Sequence, residues 1–314
     1  MSWQPTASIE TLKLRAKLLA HIRAFFTQRQ YLEVETPIMA HFGVTDVYLN
    51  SIQAQFRAQP YYLQTSPEYH MKRLLAAGSG PIFQLARVFR DDELGHWHNP
   101  EFTLLEWYQL DVDHHTLMEE VSLLLQQTLQ TGPITKKAYQ QAFIDIVQLD
   151  PLSASIEEFK HCLEAYELHN VLALDEQDRD QYLFLIMSHI IEPAFAAEKN
   201  PVALYDFPVS QAALAQVHDG VASRFEIYYK GVELANGFHE LTDSLAQKQR
   251  FMQDQQKRVA QGLPEVPMDG FFLSALEQGL PACSGVALGI DRLLALALEE
   301  KSIAKVMSFT ISNA

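Results

Sequence analysis

Length, composition and charge exclude several classes of protein. The chain has 314 residues, of which 48% are hydrophobic, so it can bury a large core. Its formal net charge is −15, which gives no general attraction to nucleic acid. Cys162 and Cys283 belong to no metal-binding or disulfide pattern and are expected to be buried thiols. The N-terminus has no basic segment followed by an apolar one, and the apolar run 293–298 is far short of the ~20 residues of a membrane span. These features predict a cytoplasmic protein without a membrane segment.

The first third of the chain alternates between helical and strand patterns. Apolar residues at helical spacing predict an amphipathic helix over 11–30. The segment 31–37 alternates briefly and predicts a short strand that ends at Pro37, which cannot donate a hydrogen bond to a sheet. Candidate strands follow at 61–64, 82–90 and 102–108.

The middle of the chain has a different pattern. Helical spacing and the turn signals Gly132-Pro133 and Asp150-Pro151 predict a mostly helical insertion at about 111–199. Strands are expected to resume near Leu204 and to form a hairpin that turns at Lys230-Gly231. A helix over 243–261 and a glycine-punctuated C-terminal segment complete the prediction.

One strand carries a carboxylate where an apolar residue is expected. In the strand 102–108 alternate side chains share a face, so Phe102, Glu106 and Tyr108 point one way and Trp107 points to the core. The adjoining charged segment is typical of a solvated hairpin loop, but such a loop does not account for Glu106. An unpaired buried carboxylate is costly, and a cationic ligand would remove that cost.

Five segments resemble the lysyl type of the class II aminoacyl-tRNA synthetases. FRDDELGHWHNPEF (89–102) resembles motif 2, GVALGIDR (285–292) resembles motif 3, and the helix and strand ending at Pro37 resemble motif 1. TSPEYHMKRLL and ELANGFHEL match the lysyl subgroup in order and spacing. The resemblance implies an α+β catalytic domain over 1–314, with a mainly antiparallel sheet flanked by helices, and a homodimer formed through motif 1.

The resemblance also implies a reaction and its nucleotide site. In this family an amino-acid carboxylate joins the α-phosphate of ATP, and positioned cations neutralise the developing charge. Arg90 is expected at the α-phosphate and the substrate carboxylate, and Arg292 at the γ-phosphate. Adenine would lie between Phe102 and Arg292. The other residues implied in nucleotide binding are Asp91, Asp92, His98, Asn99, Glu233, Leu234 and Gly289.

Magnesium is the metal that the resemblance implies. A hairpin that turns at Lys230-Gly231 makes Glu226 and Glu233 diagonal neighbours on one face, and these positions match the family's metal carboxylates. A regular strand would place Asn236 on the opposite face from Glu233, although the family uses both. An irregularity near Gly237 is therefore expected.

For the amino acid, the resemblance assigns Glu106, Tyr108 and Glu240 to the side-chain ammonium and Glu68 to the backbone amino group. Two carboxylates and a phenol supply the partners that a desolvated ammonium needs. The remaining residues implied in substrate binding are Ser66, Pro67, Asn236, Phe238 and Ala287.

Three departures from the lysyl type are present, and the first two of them shift the expected acceptor. Motif 1 begins within the first twenty residues, which leaves no room for an anticodon-binding domain before it. Ala287 stands where the tRNA-charging enzymes have glycine, and Asp92 stands where they have glutamate, with Glu93 as a possible substitute. The alanine also occurs in a truncated paralog group that attaches (R)-β-lysine to a lysine of translation elongation factor P. That factor is therefore the expected acceptor, and tRNA is not expected.

Other functions stay open at this point. The chain could charge tRNA with lysine, or form an amide as asparagine synthetase does, and a silent paralog could act as a regulatory subunit. The phosphate arginines and metal carboxylates disfavour the silent paralog. His114 and His115 are interpreted as a solvated helix start rather than as metal ligands.

Overall fold

The computed structural model describes residues 3–91, 94–173 and 175–314. Its α-helices are α1 (Ile9–Gln28), α2 (Glu68–Ala76), α3 (His114–Leu129), α4 (Tyr139–Val147), α5 (Ile156–Ala165), α6 (Arg179–Ile186), α7 (Glu192–Ala194), α8 (Ser244–Ala260), α9 (Gly270–Gly279) and α10 (Ile290–Ala297). Its strands are β1 (Leu32–Glu33), β2 (Met39–Ala40), β3 (Gln53–Phe56), β4 (Gln59–Leu63), β5 (Ile82–Phe89), β6 (Glu101–Leu110), β7 (Thr135–Ala138), β8 (Val202–Pro208), β9 (Val217–His218), β10 (Val221–Tyr229), β11 (Val232–His239) and β12 (Cys283–Gly289). Among the described residues, no helix combines the length and the apolar character that crossing a bilayer requires.

The contacts divide the chain into two compact units. The first contains Met1–Asp113, Gln127–Leu129 and Glu240–Ala314, and the second contains His114–Gln126 and Gln130–His239. The second unit thus extends about forty residues beyond the predicted insertion and includes the hairpin. The organisation as one domain with an insertion at 111–199 stays a prediction.

A mainly antiparallel sheet organises the first unit. Its strand order is β1-β5-β6-β12, in which only the β1–β5 pair is parallel. β1 has two residues, so the strand predicted over 31–37 is shorter than expected. A separate small antiparallel sheet has the order β2-β4-β3.

Helix α1 packs on the face of this sheet that Trp107 occupies. Ser8 caps the helix by accepting a hydrogen bond from the Thr11 backbone N–H at 3.1 Å. Phe26 is fully buried, stacks on Phe83 with ring centroids 4.8 Å apart, and lies 5.2 Å from the ring of Trp107. The predicted helix over 11–30 and the predicted core role of Trp107 are confirmed.

The second unit has its own strands and core. Its strand order is β11-β10-β8-β7, with β9 paired to β10 and with β7 parallel to β8. Helices α4, α5 and α6 pack their apolar residues against this layer, with Phe143, Phe159 and Ile186 fully buried. The predicted helical character is confirmed, but the predicted insertion also contains strand β7.

The hairpin of β10 and β11 turns where the sequence predicts. Lys230 and Gly231 have φ of 51° and 75°, the left-handed values that a two-residue hairpin turn requires. Tyr228 pairs with Glu233 as expected, and Ile227 then pairs with Ala235. Leu234 is therefore the extra residue of a β-bulge. The prediction of an irregularity is confirmed, but its expected place near Gly237 is wrong.

Candidate active site

A pocket of buried polar side chains in the first unit lies on the face of the sheet opposite to α1. In the register of β6 and β12, Tyr108 lies opposite Gly285 and Glu106 lies opposite Ala287. Small residues on β12 thus leave room above the two polar side chains of β6. Glu106 and Tyr108 are each 2% exposed, and the Tyr108 hydroxyl donates to Glu106 Oε1 at 2.7 Å.

A backbone hydrogen bond to β12 positions Glu240 in this pocket. The Glu240 N–H donates to the Cys283 carbonyl at 3.0 Å, which fixes the residue beside β12. Its side chain is 1% exposed. Glu68, the first residue of α2, is the third carboxylate of the pocket, and its side chain is 16% exposed.

Lys72 holds two of these carboxylates together. Its Nζ lies 2.6 Å from Glu68 Oε1 and 2.6 Å from Glu240 Oε2, and its side chain is 1% exposed. Glu68 and Lys72 are one turn apart on α2, so their side chains lie on the same face of the helix. Sequence reasoning did not single out Lys72, although its spacing from Glu68 is the signal that could have found it.

The pocket retains an excess of carboxylate. Burial raises the pKa of Glu240 to about 8, although Lys72 opposes the shift. Burial and then the charge of Glu68 raise the pKa of Glu106 well above its ordinary value. Burial alone would lower the pKa of Lys72, but Glu240 and Glu68 raise it above its ordinary value, so this ammonium keeps its proton. Glu106 Oε2 is buried and has no hydrogen-bond partner among the described residues.

Gly285 is the second pocket residue that the sequence analysis did not assign. A Cβ at this position would lie 2.2 Å from Tyr108 Cε1 and 2.6 Å from Glu240 Oε1. Only glycine therefore fits between these side chains. A glycine inside a central strand is a known sign of such close approach.

Ser66 and Pro67 lie immediately before α2, the helix that carries Glu68 and Lys72. Ser66 lines an open cavity together with Gln64, Tyr69 and Asp269, and Pro67 is the residue that precedes α2. Ala287 is half-buried and packs against an apolar group that contains Val88 and Leu104.

The two predicted phosphate arginines are Arg90 of motif 2 and Arg292 of motif 3. The guanidinium carbon of Arg90 lies 5.1 Å from the centroid of the Phe102 ring. Arg292 donates from Nε to the Trp97 carbonyl at 3.2 Å, and its Nη2 lies 2.6 Å from Nε2 of His98. Arg90 therefore lies beside Phe102, and the placement of adenine between Phe102 and Arg292 stays a prediction.

The other predicted nucleotide residues of the first unit have structural partners. Asn99 is buried, donates to the Glu101 carbonyl at 2.6 Å and accepts from the Ile311 N–H at 3.0 Å. The backbone N–H of Asp91 donates to the Asn50 carbonyl at 3.0 Å. Gly289 is the N-cap of α10. Asp92 and Glu93 lie outside the described residues.

Asp291 connects motif 3 to motifs 1 and 2. Its Oδ1 lies 2.6 Å from Nη1 of Arg15 on α1, and its Oδ2 accepts from the Thr103 N–H at 2.8 Å. Arg15 also donates to the Thr103 hydroxyl at 2.9 Å. A buried carboxylate with this many partners fixes the start of α10 and therefore the position of Arg292, which follows it.

The second unit holds the candidate metal carboxylates. Because of the bulge at Leu234, Glu226 lies directly opposite Asn236 while Glu233 lies opposite Tyr228, so all four share one face of the hairpin. The bulge therefore brings Glu233 and Asn236 to the same face, whereas a regular strand would put them on opposite faces. Leu234 itself is 2% exposed, and Phe238 pairs with Arg224 in the register.

Glu226 has hydrogen-bond partners within the second unit. It accepts hydrogen bonds from Arg224 and Tyr228, and Arg224 Nε also donates to Asn236 Oδ1 at 3.3 Å. Burial raises the pKa of Glu226, and Arg224 opposes that shift. Two carboxylates and an amide oxygen on one face fit the oxygen ligands that Mg²⁺ prefers.

His114 and His115 do not form the solvated helix start that the sequence predicts. His114 is 6% exposed, and its Nε2 lies 3.3 Å from Asp206 Oδ1. The rings of His114 and His115 lie 4.2 Å apart, and the ligand atoms of the two histidines and Asp206 lie within 4.8 Å of one another. The interpretation of His114 as solvated is wrong, because the residue packs against β8 rather than facing water. Both cysteines are free and buried, as predicted.

The first unit is an α+β unit with a mainly antiparallel sheet, and it carries Arg90 of motif 2 and Arg292 of motif 3. These features are typical of the class II synthetase domain. The family model of the class II tRNA synthetases (D, K and N) matches residues 2–313, so the chain belongs to this family. The predicted family and fold class are confirmed.

Curated relatives match over nearly their full length. A protein of Salmonella gallinarum (strain 287/91 / NCTC 13346) named Elongation factor P--(R)-beta-lysine ligase is 52% identical over an alignment of 322 residues, which covers 100% of this chain and 98% of the relative. A protein of the same name from Haemophilus influenzae (strain PittGG) is 52% identical over 321 residues, which covers 99% of this chain and 98% of the relative.

Proposed function

We propose that this chain is an AMP-forming ligase. It activates (R)-β-lysine, and α-lysine more weakly, with ATP, and transfers the activated acid to a lysine side chain of translation elongation factor P. The observation that carries the choice of substrate is the buried pocket of three carboxylates, one ammonium and a phenol. Such a pocket favours a ligand that brings positive charge with it.

Charge counting supports a substrate with two amino groups. With all groups ionised, Glu68, Glu106 and Glu240 contribute three negative charges, and Lys72 contributes one positive charge. The remaining two negative charges equal the two ammonium groups of a lysine isomer. Glu106 and Glu240 would bind the distal ammonium, and Glu68 would bind the amino group near the carboxylate.

The first step joins the acid to the nucleotide. A carboxylate oxygen of the substrate attacks the α-phosphorus of ATP, and the bond from that phosphorus to the bridging oxygen of pyrophosphate breaks. Arg90 would bind the substrate carboxylate and the α-phosphate, where its planar fork suits both groups. Arg292 would bind the γ-phosphate, and Asp291 positions it through the start of α10. Positioning and charge neutralisation are sufficient for this reaction, so no side-chain nucleophile is needed.

Mg²⁺ would neutralise phosphate charge when bound, and Glu226 and Glu233 are the residues that would hold it. Asn236, which shares their face of the hairpin, offers a further oxygen.

In the second step, the Nζ of the acceptor lysine attacks the carbonyl carbon of the adenylate. The carbon–oxygen bond to AMP breaks, an amide forms, and the attacking amine loses a proton. The names of the curated relatives, which match along the whole chain, support elongation factor P as the acceptor. A translation factor as acceptor places the reaction in the cytoplasm. The resemblance of α1 and β1 to motif 1 supports a homodimer.

The test is an acceptor competition. The protein is incubated with Mg-ATP, with either (R)-β-lysine or α-lysine, and with purified elongation factor P and tRNA together. We expect the mass of the factor to increase by one lysyl residue, faster with (R)-β-lysine, while tRNA stays uncharged. Labelled tRNA beside an unmodified factor would instead establish a tRNA-charging enzyme, and consumption of neither acceptor would refute the proposal.

A further inference from the structure

Lys72 is buried against the carboxylates of the substrate pocket, and neither step of the proposed reaction uses it. Its ammonium contacts Glu68 and Glu240, which the proposed function assigns to opposite ends of the substrate. The side chain is 1% exposed, and its Nζ lies 5.8 Å from the centroid of the Phe272 ring on α9. The residue therefore contacts the binding carboxylates from the protein side of the pocket.

Stability alone does not account for a lysine at this position. Placing two ions out of water costs several kcal/mol each, and well-packed apolar residues of similar volume are often as stabilising as a buried ion pair. Phe272 and Leu75 are buried in the same unit, so an apolar residue at position 72 would have apolar neighbours. A charge kept here at such a cost indicates a function in the pocket.

We infer that Lys72 is a positioning and specificity-determining residue: it holds Glu68 and Glu240 in place and cancels one of three carboxylate charges, so that the pocket accepts an acid with two ammonium groups. This inference rests on the proposed function. It adds the reason why three carboxylates do not select a substrate with three positive charges.

Geometry supports both parts of this role. Glu68 belongs to α2, and Glu240 is fixed beside β12 by its backbone hydrogen bond, so the two carboxylates come from separate elements. A single ammonium at 2.6 Å from each fixes their separation. Burial favours the neutral form of Lys72, but the two carboxylates outweigh that effect and keep it charged.

The test compares two substrates in the wild-type protein and in three variants. Adenylate formation is measured as amino-acid-dependent exchange of pyrophosphate into ATP, with (R)-β-lysine and with 3-aminohexanoic acid, which lacks the distal ammonium. Lys72→Met keeps an unbranched side chain, one atom shorter than that of lysine, and removes its charge. Lys160→Met is the control, because Lys160 also pairs with a glutamate on its own helix but lies on a surface, with the side chain 31% exposed.

We expect Lys72→Met to lower the ratio of kcat/KM for the two substrates at least tenfold, mainly through KM of (R)-β-lysine. When the Lys72 ammonium is removed, Glu68 and Glu240 repel each other. Each then binds a proton instead of an ammonium group of the substrate. Lys160→Met is expected to keep the wild-type ratio. Lys72→Arg restores the charge and is expected to recover at least half of the lost selectivity, on a logarithmic scale.

The outcomes separate the two proposals. If the wild-type protein shows no exchange with either lysine isomer, the proposed function fails, and this inference fails with it. If the wild type is active and a folded Lys72→Met keeps the substrate ratio, or loses activity equally on both substrates, Lys72 is only structural and the inference alone is overturned. If Lys72→Met does not fold, Lys72→Arg decides: a folded Lys72→Arg within threefold of the wild-type ratio supports the inference, and a greater loss overturns it.

Discussion

The substitution Gly285→Ala tests the geometry of the substrate pocket most directly. The added Cβ would lie 2.2 and 2.4 Å from two ring carbons of Tyr108 and 2.6 Å from Glu240 Oε1. Non-bonded carbon atoms prefer separations of about 3.5–4.0 Å, so the ring must move by more than 1 Å. Tyr108 and Glu240 are 2% and 1% exposed, so protein atoms already surround both side chains. Overpacking of this kind typically costs about 1–3 kcal/mol of the free energy of unfolding.

The loss of activity should exceed the loss of stability. A misplacement of about 1 Å in groups that position a substrate can reduce the rate about a hundredfold. We therefore expect Gly285→Ala to lower kcat/KM for (R)-β-lysine in pyrophosphate exchange by about that factor, while KM for ATP changes little. Denaturant unfolding of the same preparation gives the stability.

A second glycine provides the control for this experiment. A Cβ on Gly270, the first residue of α9, would meet no atom within 4 Å, so Gly270→Ala should leave exchange unchanged and stability equal or slightly higher. A Gly285→Ala protein with wild-type KM and wild-type unfolding would show that Tyr108 and Glu240 do not form the pocket described above.

Four further predictions concern the pH dependence of KM, the pH dependence of stability, the metal and the choice of substrate. Because the pKa of Glu240 is raised to about 8, KM for the diamino acid should fall as the pH rises through about 8. Glu240→Gln should abolish this pH dependence. A wild-type KM that stays constant between pH 6.5 and 9 would contradict the prediction. Because the pKa of Glu240 is higher in the folded state than in the unfolded state, the folded ligand-free protein binds this proton more tightly, and the resulting stabilisation is fully present below about pH 4.5. The free energy of unfolding should therefore decline as the pH rises from about 4.5 to 8. Saturating diamino acid should make this decline smaller in unfolding experiments. Glu233→Gln should raise the Mg²⁺ concentration needed for half-maximal exchange at least tenfold without changing KM for the amino acid, and an unchanged Mg²⁺ titration would remove Glu233 from the metal site. Ala287→Gly, which deletes a methyl opposite Glu106, should shift kcat/KM toward α-lysine about tenfold, and an unchanged ratio of the two isomers would exclude Ala287 from the pocket wall.

Local sequence patterns predicted the elements that depend on neighbouring residues. The helix α1, the turn at Lys230-Gly231 and the alternation in β6 each follow from side chains a few positions apart, and the structure confirms them. The pairing of Tyr228 with Glu233 was also predictable, because a two-residue turn fixes the register next to it.

Features that depend on distant parts of the chain were not predictable in the same way. A regular strand would put Glu233 and Asn236 on opposite faces, so an irregularity is expected near Gly237. The structure has the bulge at Leu234, whose side chain is buried. Lys72 is one helical turn from Glu68, yet nothing local indicates that it also contacts Glu240, 168 positions later. His114 was interpreted as solvated because Asp206, its partner on β8, is 92 positions away.

The pocket can hold more carboxylates than ammonium groups only because protons substitute for the absent ligand. Without a diamino acid, burial raises the pKa of Glu240 to about 8, so this carboxyl group is mostly protonated at pH 7. Burial also raises the pKa of Glu106 well above its ordinary value. The ammonium of the substrate must displace the proton of Glu240. For a group with a pKa near 8, that displacement costs about 1.4 kcal/mol at pH 7.

A side chain without a distal ammonium gains nothing in exchange for that displacement. It leaves Glu106 and Glu240 protonated, or else buries their charge without a partner. The same burial that raises these pKa values also excludes the water that would otherwise screen the pocket. Under the proposed function, selectivity for an acid with two amino groups follows from proton competition inside a low-dielectric pocket. We expect this selectivity to weaken as the pH falls, because protons then compete more effectively with the ammonium.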